Sequence, residues 1–251
     1  MKIEELKVTI INEFIEHIIL LFKNKTEYSG MYQVGSSIST PHKSNDLDIL
    51  IIGSQDQKNK FNFKIDFLRK KIFENKALSG SFDATNKNIK IMINSITTML
   101  SKKYGLKILP KYAIGPTKIK INCFCIHICG PMPLCDYQHL FEMLPFHALA
   151  FFVQNKPLFG PQLTEILTSP APSLQEYKEW QYVNFERLKI GTSDPEKIKF
   201  VKKILLTKYL FYGVLQPYEE VEKKITELHN KIRNMGNDQI FNHILNFTMN
   251  R

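Results

Sequence analysis

The sequence predicts an α+β fold, in which a mixed sheet with flanking helices is followed by an all-α helical bundle. Two observations support this division. Strand-like apolar runs bounded by turn residues occur before residue 130, whereas the apolar residues beyond it recur at helical spacing. The run Gly130-Pro131-Met132-Pro133, rich in chain-breaking residues, is the strongest boundary signal. We therefore predict a sheet domain over residues 1–130 and a helical bundle over residues 131–251.

The first part of the sheet domain combines a helix with two strands. Apolar residues at helical spacing predict a long amphipathic helix over residues 3–23. Residues 31–34 form a short strand that ends at Gly35. Residues 46–52 are almost entirely apolar after Asp48, which is typical of a strand buried on both faces.

The rest of the sheet domain contains two further helices and two further strands. Residues 61–73 and 88–104 carry helical patterns. Residues 106–114 and 118–128 read as strands, and because Gly115-Pro116 separates them we predict that they pair as a hairpin.

The second half of the chain is predicted to be helical throughout, with a turn at residues 156–161. Asp194, as N-cap, and Pro195 in the first turn signal the start of one helix. The last helix carries a single apolar seam, typical of a bundle core. The predicted helices cover residues 136–153 with a break at Pro145, residues 174–190, residues 194–212, and the seam Val221, Ile225, Leu228, Ile232 and Met235.

Charge is unevenly distributed along the chain. The formal net charge is +10, and residues 1–130 hold 20 lysines and arginines against 11 acids. Such an excess attracts polyanions, either nucleotide phosphates or an RNA backbone, although a solvated lysine-rich surface gives the same count.

The N-terminus and the cysteines favour a cytoplasmic protein without a membrane partner. Acids stand where a secretory signal would be apolar, and no apolar run is long enough to span a bilayer. Cys123, Cys125 and Cys129 alternate along one predicted strand, so they cannot easily form disulfides with one another. With His127 they would extend over about 20 Å, which is too far for one tetrahedral zinc ion.

One segment carries the chemistry. A strand ends at Gly35-Ser36, where glycine lets a phosphate approach the backbone and the next residues can begin a helix with free N–H groups. Asp46 and Asp48 open the following buried strand two residues apart, so their carboxylates share a face. Paired carboxylates beside a phosphate site suit Mg²⁺.

Gly-Ser, a spacer of this length and then Asp-x-Asp resembles the nucleotidyltransferase superfamily of the polymerase-β type. The resemblance implies that Gly35 and Ser36 bind the phosphates of a nucleoside triphosphate, with Ser37 and Lys43 as further nucleotide-binding candidates. It also implies that Asp46 and Asp48 hold Mg²⁺ or Mn²⁺. The helical second half resembles the bundle that many bacterial members append.

The third acid of the family is missing from its expected strand, residues 118–128. Asn122 is the nearest counterpart and is taken as the third catalytic position, although an amide has no charge and cannot act as a base. His127 is a second candidate, able to accept a proton. Asp83 or Asp136 could also enter the site from a loop.

The resulting expectation is a metal-dependent enzyme that moves a nucleoside monophosphate from the triphosphate to a hydroxyl. The basic first half favours RNA as acceptor, including tRNA as in toxin-type members, while a protein or small-molecule hydroxyl stays open. One alternative is a non-catalytic nucleotide- or RNA-binding protein with a degenerate site. Another is a helical interaction protein that dimerises through the seam of its last helix.

Overall fold

A computed structural model provides the structure of the chain. It describes residues 3–25, 27–44, 46–53, 87–112, 123–190, 193–236, 239–240 and 242–243. The chain divides into two compact units, Met1–Pro170 and Ala171–Arg251, here called the sheet unit and the helical unit. No helix within the described ranges is long and apolar enough to cross a membrane.

The sheet unit contains one mixed sheet and several helices. In chain order its elements are α1 (Ile3–Phe22), β1 (Tyr28–Val34), α2 (Ser36–Ser39), β2 (Asp46–Gly53), α3 (Lys87–Tyr104), β3 (Ile108–Lys111), β4 (Phe124–Met132), α4 (Leu134–Met143), α5 (Pro145–Val153), β5 (Asn155–Phe159) and α6 (Leu163–Ile166). The predicted α+β class is confirmed. The helix predicted over residues 61–73 lies outside the described residues.

The five strands lie in the order β3-β4-β2-β1-β5. β1 is antiparallel to both β2 and β5, whereas β4 runs parallel to β2 and to β3. The strand that opens with Asp46 is therefore central, between β1 and β4. It is buried along most of its length, as its apolar sequence predicts.

Helices α1 and α3 supply the core of the sheet unit on the helical side. The stripe of α1 that is fully buried consists of residues four apart, Ile10, Phe14, Ile18 and Phe22. Ile89, Ile93 and Leu100 of α3 join the same cluster, together with apolar residues of β1, β2 and β4. This packing holds the strands that carry the predicted site in a rigid layer.

The predicted hairpin of residues 106–114 and 118–128 is wrong. β3 and β4 pair in parallel, with Ile108 opposite Phe124 and Lys111 opposite His127. Neighbouring parallel strands require a crossover connection, which a tight turn cannot provide. Gly115-Pro116 is therefore not a hairpin signal in this sequence. Residues 113–122, which connect the two strands, lie outside the described part of the chain.

The predicted turn at residues 156–161 is also wrong over most of its length. Residues 155–159 form β5, which pairs with β1 at the edge of the sheet. Pro157 is compatible with a strand at an edge, because its missing N–H faces away from the ladder. The boundary predicted at residues 130/131 falls within β4, whereas the compact units meet at Pro170 and Ala171.

The helical unit consists mainly of α7 (Leu174–Ile190), α8 (Asp194–Phe211) and α9 (Pro217–Asn234). The N-cap of α8 is Ser193, which forms a capping box with Glu196, so the predicted cap Asp194 is the first helical residue. Val221, Ile225 and Leu228 of the predicted seam are buried in the core of this unit. The seam is thus part of the bundle core, as its spacing predicts.

A polar seam accompanies this apolar core where α7 faces α8. The Gln181 side chain donates to the carbonyl of Ile204 at 3.0 Å, while the Oε1 atom of Gln181 is buried without a hydrogen bond in the described residues. Two turns along the same helix, Arg187 is 8% exposed and its Nη2 atom likewise has no partner there. Burial lowers the pKa of this guanidinium.

Candidate metal centre

Strand pairing brings Asp46, Asp48 and His127 together. Asp48 of β2 lies directly opposite His127 of β4, and Asp46 lies opposite Cys125. Because strand side chains alternate between faces, Asp46, Asp48 and His127 all point to the same side of the sheet. All three side chains are half-buried. The shared face predicted for the two aspartates is thus present, with an imidazole added to it.

The distances in this cluster are close to those between ligands of one metal ion. His127 Nδ1 lies 2.9 Å from Asp48 Oδ1, and the three ligand atoms all lie within 4.8 Å of one another. Ligands at about 2.1 Å from an octahedral ion are about 3 Å apart when adjacent and about 4.2 Å apart when opposite. Small side-chain adjustments would therefore let the cluster hold a divalent ion. It is the single such group of His, Cys, Asp and Glu among the residues the structure describes.

The protonation of the cluster follows from burial and mutual charge. Burial alone would lower the pKa of His127, but the hydrogen bond to Asp48 and the charges of both carboxylates raise it to about 10. For Asp46, burial and then the charge of Asp48 raise the pKa, against the lowering effects of His127 and a hydrogen bond from Ser44. The metal-free cluster thus carries an imidazolium that neutralises one carboxylate, and a divalent cation would displace that proton.

The loop between β1 and β2 reaches the same cluster. Gly35 ends β1 with φ 79° and ψ −160°, a backbone conformation that residues with a Cβ avoid. Its N–H donates to the carbonyl of Gln154 at 3.0 Å, which ties the loop to the end of α5. The loop geometry thus depends on glycine at this position.

Hydroxyl groups connect this loop to the aspartates. Ser44 Oγ donates to the backbone carbonyl of Asp46 at 2.7 Å, and it lies 3.2 Å from Asp46 Oδ1 and 3.1 Å from Ser36 Oγ. Either hydroxyl can be the donor in the contact between Ser36 and Ser44. Gly35-Ser36 and Asp46, which the sequence relates only by spacing, are thus neighbours in space.

The other two residues predicted to bind nucleotide have different environments. Ser37 is buried, and its carbonyl and hydroxyl oxygens both accept hydrogen bonds from Gln33 Nε2 at 3.2 Å. Ser37 therefore stabilises the loop through its hydrogen bonds with Gln33 of β1. Lys43 is exposed in the turn that leads to β2, and its N–H donates to Thr40.

Two lysines near the cluster carry no sequence motif. Lys7 of α1 lies close enough to Asp46 to be affected by its charge. Burial lowers the pKa of Lys7, although the charges of Glu4 and Asp46 act to raise it. Lys111 of β3, directly opposite His127, in turn helps to lower the pKa of Asp46. Both come from elements far from the motif in sequence, so the linear pattern could not single them out. They place positive charge close to the carboxylates.

Of the sequence candidates for a third position, the structure brings one, His127, beside Asp46 and Asp48. His127 lies in the cluster, whereas Asn122 and Asp83 fall outside the described residues. Asp136 lies in the first turn of α4 and does not belong to the cluster. Its carboxylate is fully buried without a hydrogen bond in the described part of the chain, and burial raises its pKa.

The four cysteines are free, and none of them belongs to the metal cluster of the described residues. Cys125 is buried and Cys135 is exposed. Burial raises the pKa of Cys129 to about 12, so its thiol is protonated at neutral pH. The expected reduced state is compatible with this arrangement.

Comparison of the chain with protein-family models, with curated proteins and with solved structures finds no match. The interpretation of the site therefore depends on its own geometry. That geometry comprises two carboxylates and an imidazole on adjacent central strands, linked by serine hydroxyls to a glycine-dependent loop. In this part of the sheet unit, Asp46, Asp48 and His127 could bind a metal ion.

Proposed function

We propose that the protein is a metal-dependent nucleotidyltransferase of the polymerase-β type. It would transfer a nucleoside monophosphate from a nucleoside triphosphate to a hydroxyl acceptor and release pyrophosphate. The observation that carries the proposal is the convergence of Asp46, Asp48 and His127 beside the Gly35-Ser36 loop. The motif predicted four of these five residues, Gly35, Ser36, Asp46 and Asp48, and strand pairing brings His127 beside them.

The three side chains have the donor atoms to hold a divalent ion, and such an ion would neutralise charge at the α-phosphate and favour a deprotonated acceptor hydroxyl. Ser36 and the backbone of Gly35 would lie against the phosphates, because the serine hydroxyls connect them to Asp46. Lys7 and Lys111 add positive charge on the same side. Together these groups would position the triphosphate and balance its charge.

The reaction itself needs little covalent chemistry from the protein. The acceptor oxygen forms a bond to the α-phosphorus as the bond to the pyrophosphate oxygen breaks. The acceptor proton would pass to a carboxylate of the cluster or to solvent, because the divalent ion would favour a deprotonated hydroxyl. The basic excess of the first half of the chain, 20 cations against 11 acids, favours RNA as the acceptor.

The direct test is transfer of label. The purified protein is incubated with each α-labelled nucleoside triphosphate, a divalent metal, and either total RNA or cell lysate. We expect label to appear in one acceptor class, and to be absent with Asp48→Asn or with a chelator. Asp194→Asn, which changes an exposed aspartate at the start of α8, is the matched control and should transfer like the wild type.

The outcomes also address the alternative of a non-catalytic binder. That alternative draws on the self-neutralised cluster, in which His127 and Asp48 are paired at 2.9 Å. Nucleotide that binds with metal but is never transferred to any acceptor, under any metal, would contradict the enzyme and favour the binder. Transfer that persists in Asp48→Asn would contradict the assigned site.

A further inference from the structure

The candidate metal centre differs from a set of carboxylates in its donor atoms. Asp46 and Asp48 offer oxygen, but the third ligand is the imidazole nitrogen of His127. We infer that this site selects a first-row transition ion of the Mn²⁺, Co²⁺ or Zn²⁺ type over Mg²⁺. The inference rests on the metal site of the proposed function, and it adds which class of ion that site takes.

The chemical basis is ligand preference. Mg²⁺ binds through one or two carboxylates, waters and phosphate oxygens, and gives up water reluctantly for other donors. Imidazole suits transition ions, whose affinity for nitrogen-containing sites rises from Mn²⁺ through Co²⁺ towards Zn²⁺. A site that uses all three of its protein ligands therefore gains the histidine contribution only with a transition ion.

The geometry makes it difficult for an ion to use the two carboxylates and avoid the histidine. His127 Nδ1 is already 2.9 Å from Asp48 Oδ1, the spacing of two adjacent ligands on one ion. The two residues are also directly opposite each other on β2 and β4 in the central part of the sheet. Paired strands move little, so the imidazole stays beside any ion that Asp48 binds.

Charge leads to the same conclusion. Two carboxylates and a neutral imidazole just balance a divalent ion, whereas a third carboxylate would add the extra negative charge that attracts a hard cation. In the described part of the chain no further acid joins the cluster. The site thus binds Mg²⁺ weakly in comparison with a three-carboxylate set. The covalent contribution of nitrogen compensates for the missing charge with a transition ion only.

The test compares metal affinities in the full-length protein without nucleotide. Calorimetric titration with Mg²⁺ and with Mn²⁺ is performed on the wild type, His127→Asp and His127→Gln. We expect the wild type to bind Mn²⁺ about tenfold or more tighter than Mg²⁺. In His127→Asp that preference should fall about tenfold, because Mg²⁺ gains a carboxylate and Mn²⁺ loses an imidazole.

His127→Gln protects the test against a folding defect in the charged variant. It offers an amide oxygen of similar reach without adding a charge among the two aspartates, and it should also lose most of the Mn²⁺ preference. Circular dichroism establishes that each variant is folded. Pulsed electron paramagnetic resonance of bound Mn²⁺ gives a second readout, since nitrogen coupling should be present in the wild type and absent in both variants.

Equal Mn²⁺ to Mg²⁺ affinity ratios in the wild type and His127→Asp would overturn the inference, as would bound Mn²⁺ without nitrogen coupling. Failure of the proposed function has a different signature. A selective, nitrogen-coordinated Mn²⁺ site without any nucleotide transfer would support the metal inference and contradict the proposed enzyme activity. Nucleotide transfer supported equally by Mg²⁺ and Mn²⁺ in the wild type and in His127→Asp would support the proposed enzyme activity and contradict the metal preference.

Discussion

The two compact units bury charge in opposite ways. In the sheet unit, Asp48 and His127 carry opposite charges and lie 2.9 Å apart. In the helical unit, the charges that act on Lys203 are those of Lys199 and Arg187, all of the same sign. Burial, followed by these two cations, lowers the pKa of Lys203 to about 7.

The cluster in the sheet unit can exchange a proton for a metal ion, whereas the buried charge in the helical unit lowers the free energy of unfolding. A carboxylate–imidazolium pair is stable without metal, and yet all its donor atoms become available when a cation displaces the proton. The buried guanidinium of Arg187 and the half-buried Lys203 lose solvation, and the charges of Lys199 and Arg187 repel Lys203. The compensated cluster of the sheet unit could bind a metal ion, and the variants below test each half of the contrast.

The largest effect is expected at Asp48. Asp48→Ala removes both a metal ligand and the hydrogen-bond partner of His127, so divalent-dependent binding of nucleotide should be lost, with affinity down about 100-fold or more. Calorimetry with ATP and Mn²⁺ measures the change. Asp194→Ala, on the exposed start of α8, is the control that should bind normally. Unchanged affinity in Asp48→Ala would mean that the pair is purely structural.

In the helical unit, removal of a buried charge is expected to stabilise the protein. Arg187→Met replaces a buried guanidinium, 8% exposed, with an apolar side chain of similar length, so the free energy of unfolding should rise by about 1–4 kcal/mol. Urea denaturation followed by the fluorescence of Trp180, the only tryptophan in the sequence, reports on this unit. Lys178→Met changes an exposed residue of the same helix and should have little effect. A destabilised Arg187→Met would show that the guanidinium is compensated.

Lys203 makes the stability of the helical unit depend on pH. Its pKa is about 7 in the folded chain and near 10.5 when unfolded, so between these values the unfolded state binds more protons. The free energy of unfolding should therefore rise from pH 7 towards pH 10.5, by at most about 1.4 kcal/mol per pH unit. Below pH 7 both states are protonated and this contribution is constant. Lys203→Met should flatten the slope, and an identical slope in that variant would contradict the assignment.

The smallest effect is expected at the serine bridge. Ser44→Ala removes the hydroxyl that donates to Asp46 and contacts Ser36, so the pKa of Asp46 should rise further. Metal binding at neutral pH would then weaken a few-fold, because the ligand must lose its proton first. Titration of Mn²⁺ at two pH values measures this, and the deficit should shrink at the higher pH. Ser95→Ala, which removes an exposed hydroxyl that donates to the carbonyl of Ile91 within α3, is the matched control.

The features that the sequence predicted well are those controlled by local pattern. Periodicity alone identified α1 and α3, and the Gly35 break and apolar run placed β1 and β2 in the right order. Asp46 and Asp48 were found because two-residue spacing on a strand determines a shared face. For these elements the physical cause lies within a few residues.

The features that were missed or ranked second depend on contacts between distant segments. His127, the second candidate for the third position, enters the site because β4 pairs in parallel with β2. Pro157 favoured the prediction of a turn where the chain forms an edge strand. Lys7 and Lys111 lie on other elements and match no motif. Burial of Arg187 likewise results from helix packing that no linear spacing encodes.

The strand order also has a consequence for synthesis of the protein. β1 is made early, but its second neighbour in the sheet, β5, ends only at Phe159. At about 5–20 residues per second, the ribosome needs on the order of ten seconds to make the intervening chain. During that interval β1 exposes an unpaired edge, the kind of surface that invites association with other nascent chains. This exposure of β1 ends when β5 emerges and pairs with it, and β5 then becomes the edge strand on that side of the sheet.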